Sequence, residues 1–211
     1  VSLSKRQIVI AALELAEKQG AERLTMRSLA ANLDRRPSSL YNHISGRDDL
    51  IEGMRALVVE EIDTSVFAVK GWDDAVIVWA ESYLSAFAAR PSCIRLLATT
   101  PITDPSTLRM YDIVVSALVR GGWADGDAVA VMRTIEALVL GSALDAIAPS
   151  SLLSLDAVPL ELEALRRSLE PGHRDRAGAR AAFVLGMEAL VEGLRVRLAA
   201  ERSSSGPPGQ T

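Results

Sequence analysis

LTMRSLAANLDRRPSSLYNHISGRDDLI, residues 24–51, decides how this chain is read. Its pattern is that of two short helices separated by a tight turn and followed by a third helix. Leu24, Leu29, Ala30 and Leu33 recur on one face at helical spacing, while Arg27 and Ser28 face the other way. Asp34 stands where the chain must turn, and Asp tolerates left-handed backbone better than most non-glycine residues. Pro37 suits the first turn of the next helix, where its missing N–H would have no partner in any case. That short helix carries Ser38, Ser39, Tyr41, Asn42 and His43 around a single apolar anchor, Leu40.

Short polar side chains gathered on one small element beside Arg35 and Arg36 match what a helix in the major groove requires. Base edges are read by such groups and by Arg, and phosphates are held by Arg, hydroxyls and helix N-termini. Between positions 23 and 47, five arginines (23, 27, 35, 36 and 47) face one acid, Asp34, in a chain of formal net charge -4. The field that matters for binding is the local one, so overall acidity does not exclude nucleic acid.

The segment resembles the N-terminal domain of TetR-type (tetracycline repressor-like) transcriptional regulators, whose pattern runs LT-x-R-x-LA-x-x-LG-V-x-x-x-x-LY-x-H-(apolar)-x-x-K-x-x-L. LTMRSLAANL, LYNHI, Arg47 and Leu50 supply it here. Asp34 replaces the usual Gly, and Arg35 replaces a small apolar residue that packs inside the turn. The resemblance implies that Arg27 reads a base from the supporting helix. It assigns Thr25, Ser39, Tyr41, His43 and Arg47 to phosphates and Pro37, Ser38 and Asn42 to base edges. Arg36 completes the expected DNA-binding set.

The 211 residues suffice for one or two domains, and with 49% hydrophobic but only 4% aromatic residues the core is expected from Leu, Val, Ile and Ala. No alternating strand pattern is visible, so the expected class is all-α. A three-helix helix-turn-helix DNA-binding domain is expected over residues 1–48, a larger helical regulatory and dimerisation domain over 49–202 and a disordered tail over 203–211. The single Cys93 cannot close an internal disulfide, no secretory leader is expected before the first helix, and no apolar run approaches the length of a membrane span. A cytoplasmic protein without membrane contact is expected, and Cys93 reads as packing.

Helices are expected at about 4–19, 46–67 with Ser45 as N-cap, from Trp72, from Pro91 to about 99, from Asp104 to Gly121, 125–148 and 174–200, with one short helix near 160–169 in a loop over 149–173. The helix containing IEALVLGSALDAIA is apolar on more than one face and needs an outside partner. In the last helix, small residues alternate with large apolar ones. Leu140, Leu144, Phe183, Gly186, Met187, Leu190 and Leu194 are the expected homodimer interface, in keeping with the four-helix bundle that the resemblance implies.

A small-molecule effector site is expected between helices. Trp79, Tyr83 and Phe87 on one helix, Met110 and Tyr111 on another, and Met132 and Glu136 on a third are its candidates. Glu136 and Asp145 lie in apolar surroundings, where an acid needs either a cationic ligand or an Arg such as Arg95, Arg109 or Arg133. There is no Gly-rich phosphate loop, metal-ligand cluster or nucleophile–base set, so no catalysis, metal or cofactor is expected. The chain reads as a regulator that binds double-stranded, pseudopalindromic DNA as a dimer and is released by a ligand. The competing class is a helical dimeric interaction or ligand-binding module without specific DNA binding.

Overall fold

The computed structural model describes residues 3–148, 154–170 and 178–204, which form ten α-helices joined by loops and 3-10 turns, with no strand among them. The helices are α1 (Lys5–Gln19), α2 (Met26–Asn32), α3 (Pro37–Tyr41), α4 (Arg47–Val59), α5 (Trp72–Ala88), α6 (Ile94–Thr99), α7 (Pro105–Arg120), α8 (Asp125–Ala146), α9 (Glu163–Ser168) and α10 (Ala179–Ser204). The all-α class holds, with a small N-terminal head and a larger C-terminal body. The expected tail beyond Ser204, the expected loop at 149–153 and 171–173, and the expected start of the last helix at 174 lie outside the described residues.

Local signals set the head. Ser4 and Gln7 form a reciprocal capping box on α1, and Thr25 and Ser28 form another on α2. α1 lies along α4, and Gly53 allows their close approach: a Cβ there would stand 2.7 Å from Val9 Cγ2. Lys5 pairs with Asp49 at 2.5 Å, and Arg6 with Glu60 at 2.8 Å.

Two expectations about α4 are corrected. It stops at Val59 instead of running to 67, because Asp63 Oδ1 accepts hydrogen bonds from Ser65 N (2.9 Å) and Ser65 Oγ (2.6 Å) and turns the chain into a 3-10 segment, Ser65–Ala68. The cap position belongs to Gly46, and Ser45 instead donates from N (2.9 Å) and Oγ (3.2 Å) to Asp49 Oδ2.

In the body, α5 is the central helix: Ala75, Val76, Trp79 and Ala80 are fully buried, and α5 packs on α8, which packs on α10. Asp104 caps α7 by accepting from Thr107 N at 2.8 Å. Cys93 is buried, and burial, reinforced by a hydrogen bond with Glu17, pushes its thiol up to about 12. That suits packing and not nucleophilic chemistry.

Candidate nucleic-acid interface and internal cavity

The turn between α2 and α3 is a Schellman motif with Asp where Gly is usual. Asp34 has φ 53, Asp34 N donates to Ala31 O (3.2 Å) and Arg35 N donates to Ala30 O (2.9 Å), so the last carbonyls of α2 are satisfied. Arg35 does not pack inside the turn. Its side chain is exposed, and Nη1 donates to Asp34 O at 3.0 Å.

Leu40 and Ile44 anchor α3 from within the core, which leaves Arg36, Pro37, Ser38, Tyr41, Asn42 and His43 exposed and Ser39 half-buried. Arg23 and Arg27 are exposed as well. The expected DNA-binding residues are thereby brought together on the head, with two qualifications. Thr25 Oγ1 is engaged as the cap of α2, accepting from Ser28 N at 3.0 Å. Arg47 Nη1 donates to the Leu24 carbonyl, tying α4 to the segment before α2.

A second feature lies in the body, where a cavity of about 630 Å³ opens among α4, α5, α6, α7 and α8. Tyr83, Phe87, Tyr111, Met132 and Glu136 line it, as expected from sequence. Trp79 and Met110 do not: they are 0% and 3% exposed and belong to the packed core, Trp79 edge-on to the rings of Phe67 and Tyr83 with centroids 6.3 and 5.4 Å away. Glu136 Oε1 accepts hydrogen bonds from Tyr83 Oη (2.7 Å) and Tyr111 Oη. Burial, with the Glu136 carboxylate beside them, raises both phenols above the ordinary tyrosine value, so they remain donors.

Residues 69–198 match the family model described as "Tetracyclin repressor-like, C-terminal domain". The chain belongs to the tetracycline repressor family.

A class A tetracycline repressor from transposon 1721 of Escherichia coli is 28% identical over 212 residues, covering 97% of this chain and 96% of that protein. An HTH-type transcriptional regulator of Saccharopolyspora erythraea is 30% identical over 140 residues, which is 66% of this chain and only 59% of the regulator's length. Among solved structures, a possible TetR family regulator from Streptomyces coelicolor A3(2) superimposes with a TM-score of 0.77 at 25% identity, over 92% of this chain and 99% of that one. Members of this family are DNA-binding transcriptional regulators and not enzymes, and the head and body described above have the family's fold.

Within this TetR-family body, two residues escaped sequence reading. Arg55 on α4 is 3% exposed, yet its guanidinium is well satisfied. Nη2 donates to Leu97 O (2.9 Å) and Thr100 O (2.8 Å), and Nη1 donates to Pro101 O (3.0 Å) and to Glu52 Oε1. Glu52 Oε2 in turn accepts from Thr103 N (2.7 Å), Thr103 Oγ1 (3.1 Å) and Asp104 N (2.5 Å). Together they clasp the α6–α7 loop to α4. Residues 97–102 of that loop region also form a wall of the cavity. The available signal was an Arg beside the apolar stripe Leu50, Met54 and Val58, paired with Glu52 three residues earlier.

The expected interface residues divide. Phe183 and Met187, 1% and 2% exposed, fill the protomer's own core. Gly186 faces Leu138 of α8 at a distance where a Cβ would meet Cδ1 at 3.2 Å. Leu190 and Leu194 are half-buried against the core, and Leu140 lines the cavity. Leu144 is on the surface, in an apolar set with Ile147, Leu185 and Val196 that is between 44% and 67% exposed. Of the small residues of α10, Gly186 thus faces α8 of its own chain, whereas Ala182, Ala189 and Gly193 are exposed. The opposite face of α10 carries Leu185, Ala189 and Val196, all exposed.

Proposed function

We propose that the chain is a homodimeric transcriptional repressor that leaves its operator when a small molecule fills the cavity. The observation that carries this reading is the Glu52–Arg55 clasp. A ligand against residues 97–102 presses on the loop whose carbonyls hold Arg55, and Arg55 lies on the helix that begins in the head. Displacement of the loop moves α4 and re-aims α2 and α3. Typical allosteric couplings of about 1–3 kcal/mol change affinity by roughly 5–150-fold, enough for release. Repression is inferred from kinship with the Escherichia coli tetracycline repressor, a relative along nearly its whole length.

One head covers a half-site only, and two heads about 34–36 Å apart read a pseudopalindrome. Apolar side chains exposed on α8 and α10 supply a surface on which a second copy buries them. Arg27 and Asn42 are the base readers in this scheme, with Arg36, Ser39, Tyr41 and His43 on phosphates and the protein acting in the cytoplasm.

Fluorescence anisotropy with duplex DNA from upstream of the chain's own gene tests the reading. That duplex is expected to bind about 10³-fold or more tightly than a random duplex at the same salt concentration. Arg27→Ala is expected to weaken it by roughly tenfold or more, as loss of one good base contact does. Equal affinity for the two duplexes, unchanged by Arg27→Ala, rejects it.

A further inference from the structure

The side-chain hydroxyls around the cavity already donate elsewhere. Thr99 Oγ1 and Thr100 Oγ1 donate to Arg95 O and Leu96 O, each at 2.7 Å. Thr107 Oγ1 donates to Asp104 Oδ2 at 3.0 Å. Tyr83 and Tyr111 both donate to Glu136 Oε1. Arg55 directs both terminal nitrogens to Glu52 and three carbonyls. Among the described lining residues, Arg133 is the principal side-chain donor left, and it is exposed to solvent with no ion pair to Glu136. The interior is therefore poor in donors but holds one carboxylate, whose Oε2 has no hydrogen-bond partner among the described residues.

We propose that this cavity selects a cation: a protonated amine on a flat apolar body, its N–H donating to Glu136 Oε2. A buried or partly buried carboxylate is most favourable when its remaining lone pairs accept from a charged donor. The rings of Tyr83 and Phe87, with centroids 4.9 Å apart, add aromatic surface that attracts positive charge as well as flat apolar groups. An anion meets the opposite circumstances, since it finds no available hydroxyl donor inside and lies beside Glu136. The inference rests on the cavity being the effector site, and extends that reading to the chemistry of the effector.

Isothermal titration calorimetry of the full chain with three ligands that share a naphthylmethyl group tests it: naphthylmethylamine, naphthylacetate and naphthalenemethanol. The amine is expected to bind at least about tenfold more tightly than either of the others, a difference set by one charge-assisted hydrogen bond. Glu136→Gln is expected to remove that preference, with its fold checked by circular dichroism, while Arg133→Ala leaves it in place. The three-ligand comparison on the unaltered chain needs no variant. Tighter binding of the acetate, equal binding of amine and alcohol, or no binding of the amine overturns the proposal. Anisotropy with operator DNA separates the two layers. A carboxylate that binds and releases DNA overturns the cationic preference and keeps the sensor, whereas an amine held through Glu136 without effect on DNA does the reverse.

Discussion

Asp34 holds the left-handed turn that sets α3 against α2, at φ 53 and as the only non-glycine residue of positive φ among the described ones. An L side chain in that region costs roughly 1–2 kcal/mol, less for Asp than for most residues, and Gly escapes the cost at the expense of unfolded-state entropy. Asp34→Gly is therefore expected to raise stability by about 0.5 kcal/mol and Asp34→Ala to lower it by about 1 kcal/mol. Urea denaturation read by circular dichroism checks both, and a stabilising Asp34→Ala would contradict the assignment of strain to this position. Glu136 shows the other use of a single residue. Its two phenol donors hold a carboxylate in place at the cavity, where an unpaired acid would be costly.

At the scale of helices, legibility followed how local the signal was. The starts of α1 and α7 could be read because Ser4 and Asp104 cap them within a few residues, whereas Thr25, expected at a phosphate, is the cap of α2. The end of α4 could not, since the Asp63–Ser65 turn competes with helix over a stretch whose apolar periodicity continues. The side of α10 that faces inward was also hidden. Phe183, Gly186 and Met187 form a stripe that suits either a partner chain or α8, and only the packed structure decides between them. Arg55 was missed for the same reason, as the three carbonyls that bury its guanidinium lie more than forty residues away along the chain. The exposed face of α10 is now the better candidate for the interface. Leu185→Glu combined with Val196→Glu is expected to leave the protomer's fold within about 0.5 kcal/mol per site, as exposed substitutions usually do, while converting dimer to monomer. Sedimentation velocity distinguishes the species, and a double variant that remains dimeric removes this face from the account.

Across the whole molecule, an arginine-rich head of exposed polar residues and a cavity with one carboxylate are joined through α4. Arg6–Glu60 and Lys5–Asp49 bind that helix to α1 of the head, and the hydrogen bonds of Arg55 and Glu52 bind it to the α6–α7 loop of the cavity wall. Linkage makes such a connection reciprocal: if a ligand in the cavity changes DNA affinity, DNA on the head changes the cavity wall. The direct measurement is amide hydrogen exchange of the full chain with and without operator duplex, read at Thr103 and Asp104, whose N–H groups donate to Glu52. A changed exchange rate is expected at these two amides when operator binds, with none at α9. Exchange at Thr103 and Asp104 that is identical in free and operator-bound protein would contradict it.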